Sequence, residues 1–374
     1  MRGEVVIAGI GHTAYGRLPD RDVTSLNVEA TRLALADAGI EKDLVDGLLV
    51  KYPTSGFRTM YGQTMAEAMG LQPRLGGVFD QGGATNISMI MFAAMSILHG
   101  ECDVAVVVTG DNPKTGTRQA YERGWGDDAG YGWFGTPAGY AMIARRHMED
   151  FGTTHEQLGA VAIAARRHGA ANPNAQLKLP LTPEGYAQSP AVVDPFRRDD
   201  CCLISDGAAA VVVMSAARAK ELGVQDPVPM LGFGGGQTSW EVAQRPSLTS
   251  TAAVASGTTA FTMAGMSPRD IDVAQLYDCF TITPIMTIED YGFCAKGQGG
   301  PFVESGNIEL GGTLPINTSG GLLSETGMPG MQLVIEGVRQ IRGTSVNQVP
   351  GAAACIVSNQ GGIMHTHSTL ILGR

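Results

Sequence analysis

The chain opens on an apolar run, Val5 to Ile10, followed by Thr24 to Ala38, where apolar positions recur at helical spacing after a Thr/Ser start and stop at Gly39. That pattern predicts a short buried strand and then an amphipathic helix. Another apolar strand is expected over Gly47 to Val50, a helix from about Thr85 to His99 behind Gly82-Gly83, and a strong strand over Val104 to Thr109. Strand and helix alternate, as in a layered α/β domain. The second half repeats this order. Ala252 to Tyr277, with Ala264-Gly265-Met266, an Asp-Ile-Asp turn and the strand Val273 to Tyr277, parallels Val28 to Val50. Gly320-Gly321, a helix through Arg342 and the strand Ala352 to Ser358 parallel Gly82-Gly83, its helix and Val104 to Thr109. The repeat predicts two related halves, with two unrelated α/β domains as the alternative. Between about 111 and 200 the rhythm is lost, although Thr153 to His168 looks helical. The expected organisation is a first half over 1–215, with a loop domain inserted at about 111–200, and a second half over 216–374.

Composition narrows the functional classes. Of 374 residues, 44% are apolar, enough for two packed halves. The 51 glycines fall in short clusters between apolar runs and read as turns and close backbone approaches. Charged residues are 17% and the net charge is −10, so nucleic acid and anionic membrane are excluded as partners. No apolar stretch reaches the roughly 18 residues that span a bilayer. The start Met1 to Glu4 lacks a basic segment and a cleavage site, so a cytoplasmic location is expected. Six cysteines without paired CxxC spacing indicate neither a disulfide framework nor a metal site.

Five stretches stand out as motifs: Gly82-Gly83-Ala84-Thr85 before a helix, Ser205-Asp206-Gly207-Ala208-Ala209-Ala210 entering a strand, Tyr277-Asp278-Cys279-Phe280, Asn317-Thr318-Ser319-Gly320-Gly321, and Gln360-Gly361-Gly362. None is specific alone. In this order and on this repeat, the chain resembles the thiolase superfamily over nearly its whole length. It is most similar to the lipid-transfer (sterol-carrier) branch and its cysteine-less steroid side-chain aldolases. The resemblance implies a five-layered αβαβα fold of two βαβαβ halves, and a homodimer.

A thiolase sets a nucleophilic cysteine at a helix N-terminus, where N–H groups and the helix dipole stabilise the thiolate. Here Gly83 holds that position, and a glycine cannot be acylated. The histidine of the Gly-His-Pro loop corresponds to Met328 in Gly327-Met328-Pro329-Gly330, and a thioether takes no proton and donates no strong hydrogen bond. The second cysteine corresponds to Asn359. This triple replacement argues against condensation or thiolysis through an acyl-enzyme. Thr85 or Ser88 as substitute nucleophiles would need an adjacent base that the motif does not offer.

Tyr277 followed by Asp278 resembles the motif of the steroid side-chain aldolases, and both join the candidate catalytic set. The implied reaction is retro-aldol cleavage of a β-hydroxyacyl-CoA, which needs proton transfer and a stabilised enolate but no thiolate. Tyr277 is the candidate acid or base; a core tyrosine with a satisfied hydroxyl is the alternative. The second tyrosine that those aldolases carry near Gly327 is missing. His365 and His367 on a strand would share a face, and His365, nearer the glycine loop, is the expected proton shuttle. A metal pair would need a third ligand, which is not evident. His12, Asp206 and Cys201-Cys202 read as structural, and Phe233-Gly234-Gly235-Gly236 as a loop over the site. No cofactor is expected on this chain beyond a CoA thioester as substrate. The branch implies a small partner protein with a zinc ribbon and an OB-fold, which would hold any zinc. Two other readings stay open: a thiolase-type acyl-CoA acyltransferase subunit, and a non-catalytic subunit of a thiolase-like complex.

Overall fold

The first helix begins where Asp22 accepts the N–H of Ser25, and ends on Gly39 in the left-handed region. The start signal is therefore Asp22, two residues ahead of the Thr/Ser pair. The computed structural model describes residues 2–56, 58–117, 130–131, 133, 135–328 and 330–374. Met1, Pro329 and residues 118–129 of the expected insertion lie outside the described residues. In chain order, β1 (Val5–His12), α1 (Val23–Ala38), β2 (Gly47–Lys51), α2 (Tyr61–Met69), β3 (Leu75–Phe79), α3 (Thr85–Leu98) and β4 (Val104–Asp111) come first. Then α4 (Gly135–Phe151), α5 (His155–Ala171), α6 (Pro183–Ala187) and the ribbon β5 (Ala191–Val193) and β6 (Phe196–Arg197) stand outside the main sheet. β7 (Gly207–Ser215) rejoins it, followed by α7 (Ala216–Glu221), β8 (Val228–Gln237), α8 (Ala253–Ala264) and β9 (Val273–Gln275). The chain closes with α9 (Ile282–Asp290), α10 (Gly299–Glu304), α11 (Gly321–Ser324), α12 (Met331–Arg342), β10 (Ala354–Gly361) and β11 (Thr366–Gly373).

Among the described residues, nine strands form one sheet in the order β3-β2-β4-β7-β1-β8-β11-β10-β9. The two halves share a pairing scheme. β1 to β7 and β7 to β4 are antiparallel and β4 to β2 is parallel; β8 to β11, β11 to β10 and β10 to β9 repeat that pattern. The place of β3 is taken in the second half by a single bridge between Ala274 and Ile316. The halves join through β1 and β8, where Val6 pairs with Pro229 and Ile7 with Val228. Helices α3 and α12 touch strands of both halves and make the middle helical layer, while α1 packs on β1 and β7, and α8 on β8 and β11. The result is the thiolase-type α/β architecture. Strand alternation splits the core: Val6, Ala8, Val104, Val106 and Val108 point into the cluster under α1 and α2, whereas Val5, Ile7, Ala105 and Val107 point toward α3. Both faces of these strands are buried, which explains their near-continuous apolar sequence.

The segment Phe233 to Gly236 lies within β8, and is not a loop over the site. A β-carbon on Gly232 or Gly234 would overlap the backbone oxygens of Ala260 or Ser256 in α8. On β1, Gly9 and Gly11 would likewise overlap the backbone of α1 around Ala34. Alternate glycines thus let a helix backbone touch the strand beneath it in each half. No described helix is long and apolar enough to cross a membrane.

Candidate active site

Tyr277 follows β9 by two residues, at the carboxyl end of a parallel pair, where α/β sheets open their clefts. Its backbone is fixed on both sides: its N–H donates to Ser358 Oγ (3.3 Å) and its carbonyl accepts from Thr283 Oγ1 (2.6 Å). One residue earlier, the Asn317 carboxamide bonds both the N–H and the carbonyl of Leu276, at 2.7 and 2.8 Å. Asn317 has a φ of 52°, so the Asn-Thr-Ser-Gly-Gly motif bends out of strand geometry and lets a side chain do the work of a ladder partner.

The ring of Tyr277 ends at the start of α3. A β-carbon built on Gly83 would overlap the Tyr277 hydroxyl oxygen and the carbonyl oxygen of Gln360, and would stand 2.5 Å from Tyr277 Cζ. The phenol thus fills the space that any side chain at position 83 would need. Gly82, not Gly83, carries the positive φ (59°), so Gly83 is required for room rather than for backbone conformation. Thr85 Oγ1 donates to Gly82 O (2.6 Å), and Ser88 Oγ to Gln81 Oε1 (2.7 Å). These hydroxyls close the loop instead of facing a base.

Around Tyr277 lies a buried network. Gln360 Nε2 donates to Cys279 Sγ (3.0 Å), and Gln360 Oε1 accepts from the Tyr140 hydroxyl (2.8 Å), which also bonds Gly362 O (2.9 Å). Tyr140 stacks on Phe280 at 4.5 Å. Burial, with Cys279 and Tyr277 nearby, raises the Tyr140 pKa well above the usual phenol range, and burial pushes the Cys279 thiol up to about 12. Both stay protonated at neutral pH. Met328 is buried just before α12, and Asn359 lies against Gly330, which starts that helix. Neither α3 nor α12 has a side-chain cap at this end.

The other predicted residues are placed differently. Asp278 is fully buried, and its carboxyl group accepts the N–H groups of Leu322 (2.7 Å) and Leu323 (3.3 Å), anchoring the turn at Gly321. Burial raises its pKa to about 7 against the pull of those N–H groups. The folded chain therefore holds a proton that the unfolded chain releases near its ordinary value. The stability this contributes is complete below about pH 4 and is lost as pH rises through 7. Asp278→Asn should gain on the wild type by on the order of 2 kcal/mol between pH 5 and pH 8, read by chemical denaturation. A constant difference across that range would mean that Asp278 is ionised throughout.

His365 is not on a strand. It ends the turn 362–365, after Met364 at a φ of 58°, so strand alternation does not align it with His367. Its ring packs against Gly362 and lies 6.2 Å from Trp240. His367, on β11, points into the core, where its Nδ1 meets Ser256 Oγ at 3.0 Å and burial lowers its pKa to about 3. That neutral imidazole is structural. Asp206, also buried, accepts N–H groups of Leu18 and Lys114 and shapes the entry to β7. Sequence reasoning missed Tyr140, whose helix follows irregular sequence, and read Gln360 only as part of the Gln360-Gly361-Gly362 motif, with no role for its side chain.

A family model described as Thiolase C-terminal domain-like matches residues 234–374. The chain is 37% identical to a 17-hydroxy-3-oxo-4-pregnene-20-carboxyl-CoA lyase of Mycobacterium tuberculosis, over 100% of both chains. It is 36% identical to a steroid side-chain-cleaving aldolase of Thermomonospora curvata, over 99% of this chain and 98% of that one. The solved structure of an Ltp2-ChsH2(DUF35) aldolase superposes with a TM-score of 0.90 at 34% identity, covering 100% of this chain and 98% of that one.

Proposed function

Because the chain belongs to the thiolase superfamily, in the family of the steroid side-chain-cleaving aldolases, we propose that it is a carbon–carbon lyase cleaving a β-hydroxyacyl-CoA without an acyl-enzyme. One observation carries the mechanism: the Tyr277 hydroxyl occupies the space left by the missing side chain at Gly83. Tyr277, as phenolate, takes the β-hydroxyl proton. The oxygen's electron pair forms the ketone, the bond between the α and β carbons breaks, and its pair passes to the thioester as an enolate. The same phenol then returns the proton to the α carbon, so protons balance with one group. The starts of α3 and α12 carry no side-chain cap, and the positive ends of their dipoles are suited to the enolate oxygen.

The substrate we favour is the one in the mycobacterial relative's name. A hydroxyl at carbon 17 and a thioester on carbon 20 are β to each other, so cleavage gives a 17-ketosteroid and propionyl-CoA. Asp278 serves by holding the 321–324 turn and His365 as a flanking group behind Gly362. His365→Ala should accordingly lower kcat less than ten-fold, an effect that steady-state kinetics resolves. A loss above about 100-fold would move the proton shuttle from Tyr277 to His365. We also propose a homodimer that binds a small partner with a zinc ribbon and an OB-fold, in line with the DUF35 protein of the similar aldolase. Chromatographic detection of the 17-ketosteroid after incubation of the purified complex with the thioester tests the lyase. Recovery of unchanged thioester would contradict it.

A further inference from the structure

The carboxamide of Asn359 is fully buried. Its Nδ2 donates to Ser358 O (2.9 Å) and Gly330 O (3.3 Å), and two carbonyl oxygens on that side fix which end is nitrogen. Its Oδ1 meets no donor among the described residues. A buried acceptor left in that state is costly, and such atoms generally await water or a ligand. β10 runs parallel to β9, with Val357 opposite Gln275. Asn359 stands between Ser358, whose Oγ accepts the Tyr277 N–H, and Gln360, whose carbonyl oxygen lines with the Tyr277 hydroxyl the space beside Gly83. A β-carbon on Gly330 would stand 2.7 Å from both amide atoms, so the carboxamide packs directly on that glycine. The helix that starts there, α12, is 12 residues long and lacks a side-chain cap.

We propose that Asn359 Oδ1 recognises the β-hydroxyl of the substrate and selects hydroxylated over deoxy acyl-CoA thioesters. This rests on the lyase reading given above. At the reacting atoms the β-hydroxyl is the substrate's donor; thioester and ketone oxygens only accept. In the bound substrate the O–H donates to Asn359 Oδ1, and rotation about the C–O bond turns the proton toward Tyr277. Once the ketone forms no donor remains, so the contact is lost in the same step that makes product. Such a site penalises a ligand without the hydroxyl, because the buried acceptor then stays unpaired.

The test uses the full chain with its partner, in a Tyr277→Phe background that slows turnover, with the thioester checked for cleavage after each titration. Calorimetry compares 17-hydroxy-3-oxo-4-pregnene-20-carboxyl-CoA with 3-oxo-4-pregnene-20-carboxyl-CoA, which lacks the 17-hydroxyl. With Asn359 in place the hydroxylated thioester should bind roughly ten-fold tighter, and Asn359→Ala should remove that preference. Equal binding of the two thioesters with Asn359 present overturns the proposal without any Asn359 variant having to fold. So does a preference that survives Asn359→Ala, or an equal weakening of both ligands. Cleavage by the chain with Tyr277 intact, measured alongside, separates the outcomes: turnover without a hydroxyl preference sinks only the role of Asn359, and absence of both turnover and binding sinks the lyase reading with it.

Discussion

Tyr277→Phe is expected to lower kcat by about 10²–10⁴-fold while KM changes little, the range for loss of a positioned acid or base. The substitution removes one oxygen and leaves the ring where it is. Tyr277 is only 9% exposed, and its backbone is held by Ser358 and Thr283, so the phenylalanine ring should occupy the same place beside Gly83. The readout is steady-state cleavage of the 17-hydroxy thioester, with binding of that thioester by calorimetry as the control. A core tyrosine with no part in the chemistry would leave kcat within a few-fold of the wild type.

Gly83→Ala should have an effect of similar size by a different route. The new methyl would overlap both the Tyr277 hydroxyl and the Gln360 carbonyl oxygen. The phenol would have to swing away, because the carbonyl belongs to strand β10 and has little room to yield. Overpacking of this kind costs about 1–3 kcal/mol in stability, and displacement of Tyr277 should cost at least 100-fold in kcat. Gly76→Ala is the control, since a β-carbon there meets nothing within 4 Å. Gly83→Cys should be no better than Gly83→Ala as a lyase. It should not gain thiolase activity either, because Met328 and Asn359 supply no base. Full activity of Gly83→Ala would show that the phenol works from another position.

Much of the fold was legible because the repeat is written in apolar runs: α1 and β2, then α8 and β9, follow one pattern, and β2 and β9 each pair in parallel with the strand after the next long helix, β4 and β10. What escaped were elements whose residues serve close contact rather than periodicity. Phe233 to Gly236 looked like a loop because glycine is rare inside strands, yet α8 presses on that strand. β3, short and at the sheet edge with two glycines, left no apolar run to read. In the site, Tyr277 and Gly83 were singled out separately, each by what it replaced. That the one fits the space of the other is a fact of tertiary packing, since 194 positions of sequence separate them. His365 was misplaced on a strand because the turn that opens on Gly362, at a φ of 66°, runs on through Met364, a non-glycine residue at a φ of 58°. Asn359 was noted as a loss, and its orphaned oxygen became visible only with the surrounding carbonyls in view.

The central claim is that carbon–carbon cleavage proceeds by proton transfer at Tyr277, with no covalent acyl-enzyme. Intact-protein mass spectrometry of the chain, quenched while it is turning over the 17-hydroxy thioester, tests that claim most directly. The mass should stay unmodified throughout while the 17-ketosteroid accumulates; an acyl adduct on the chain that forms and decays with turnover would show a covalent route instead.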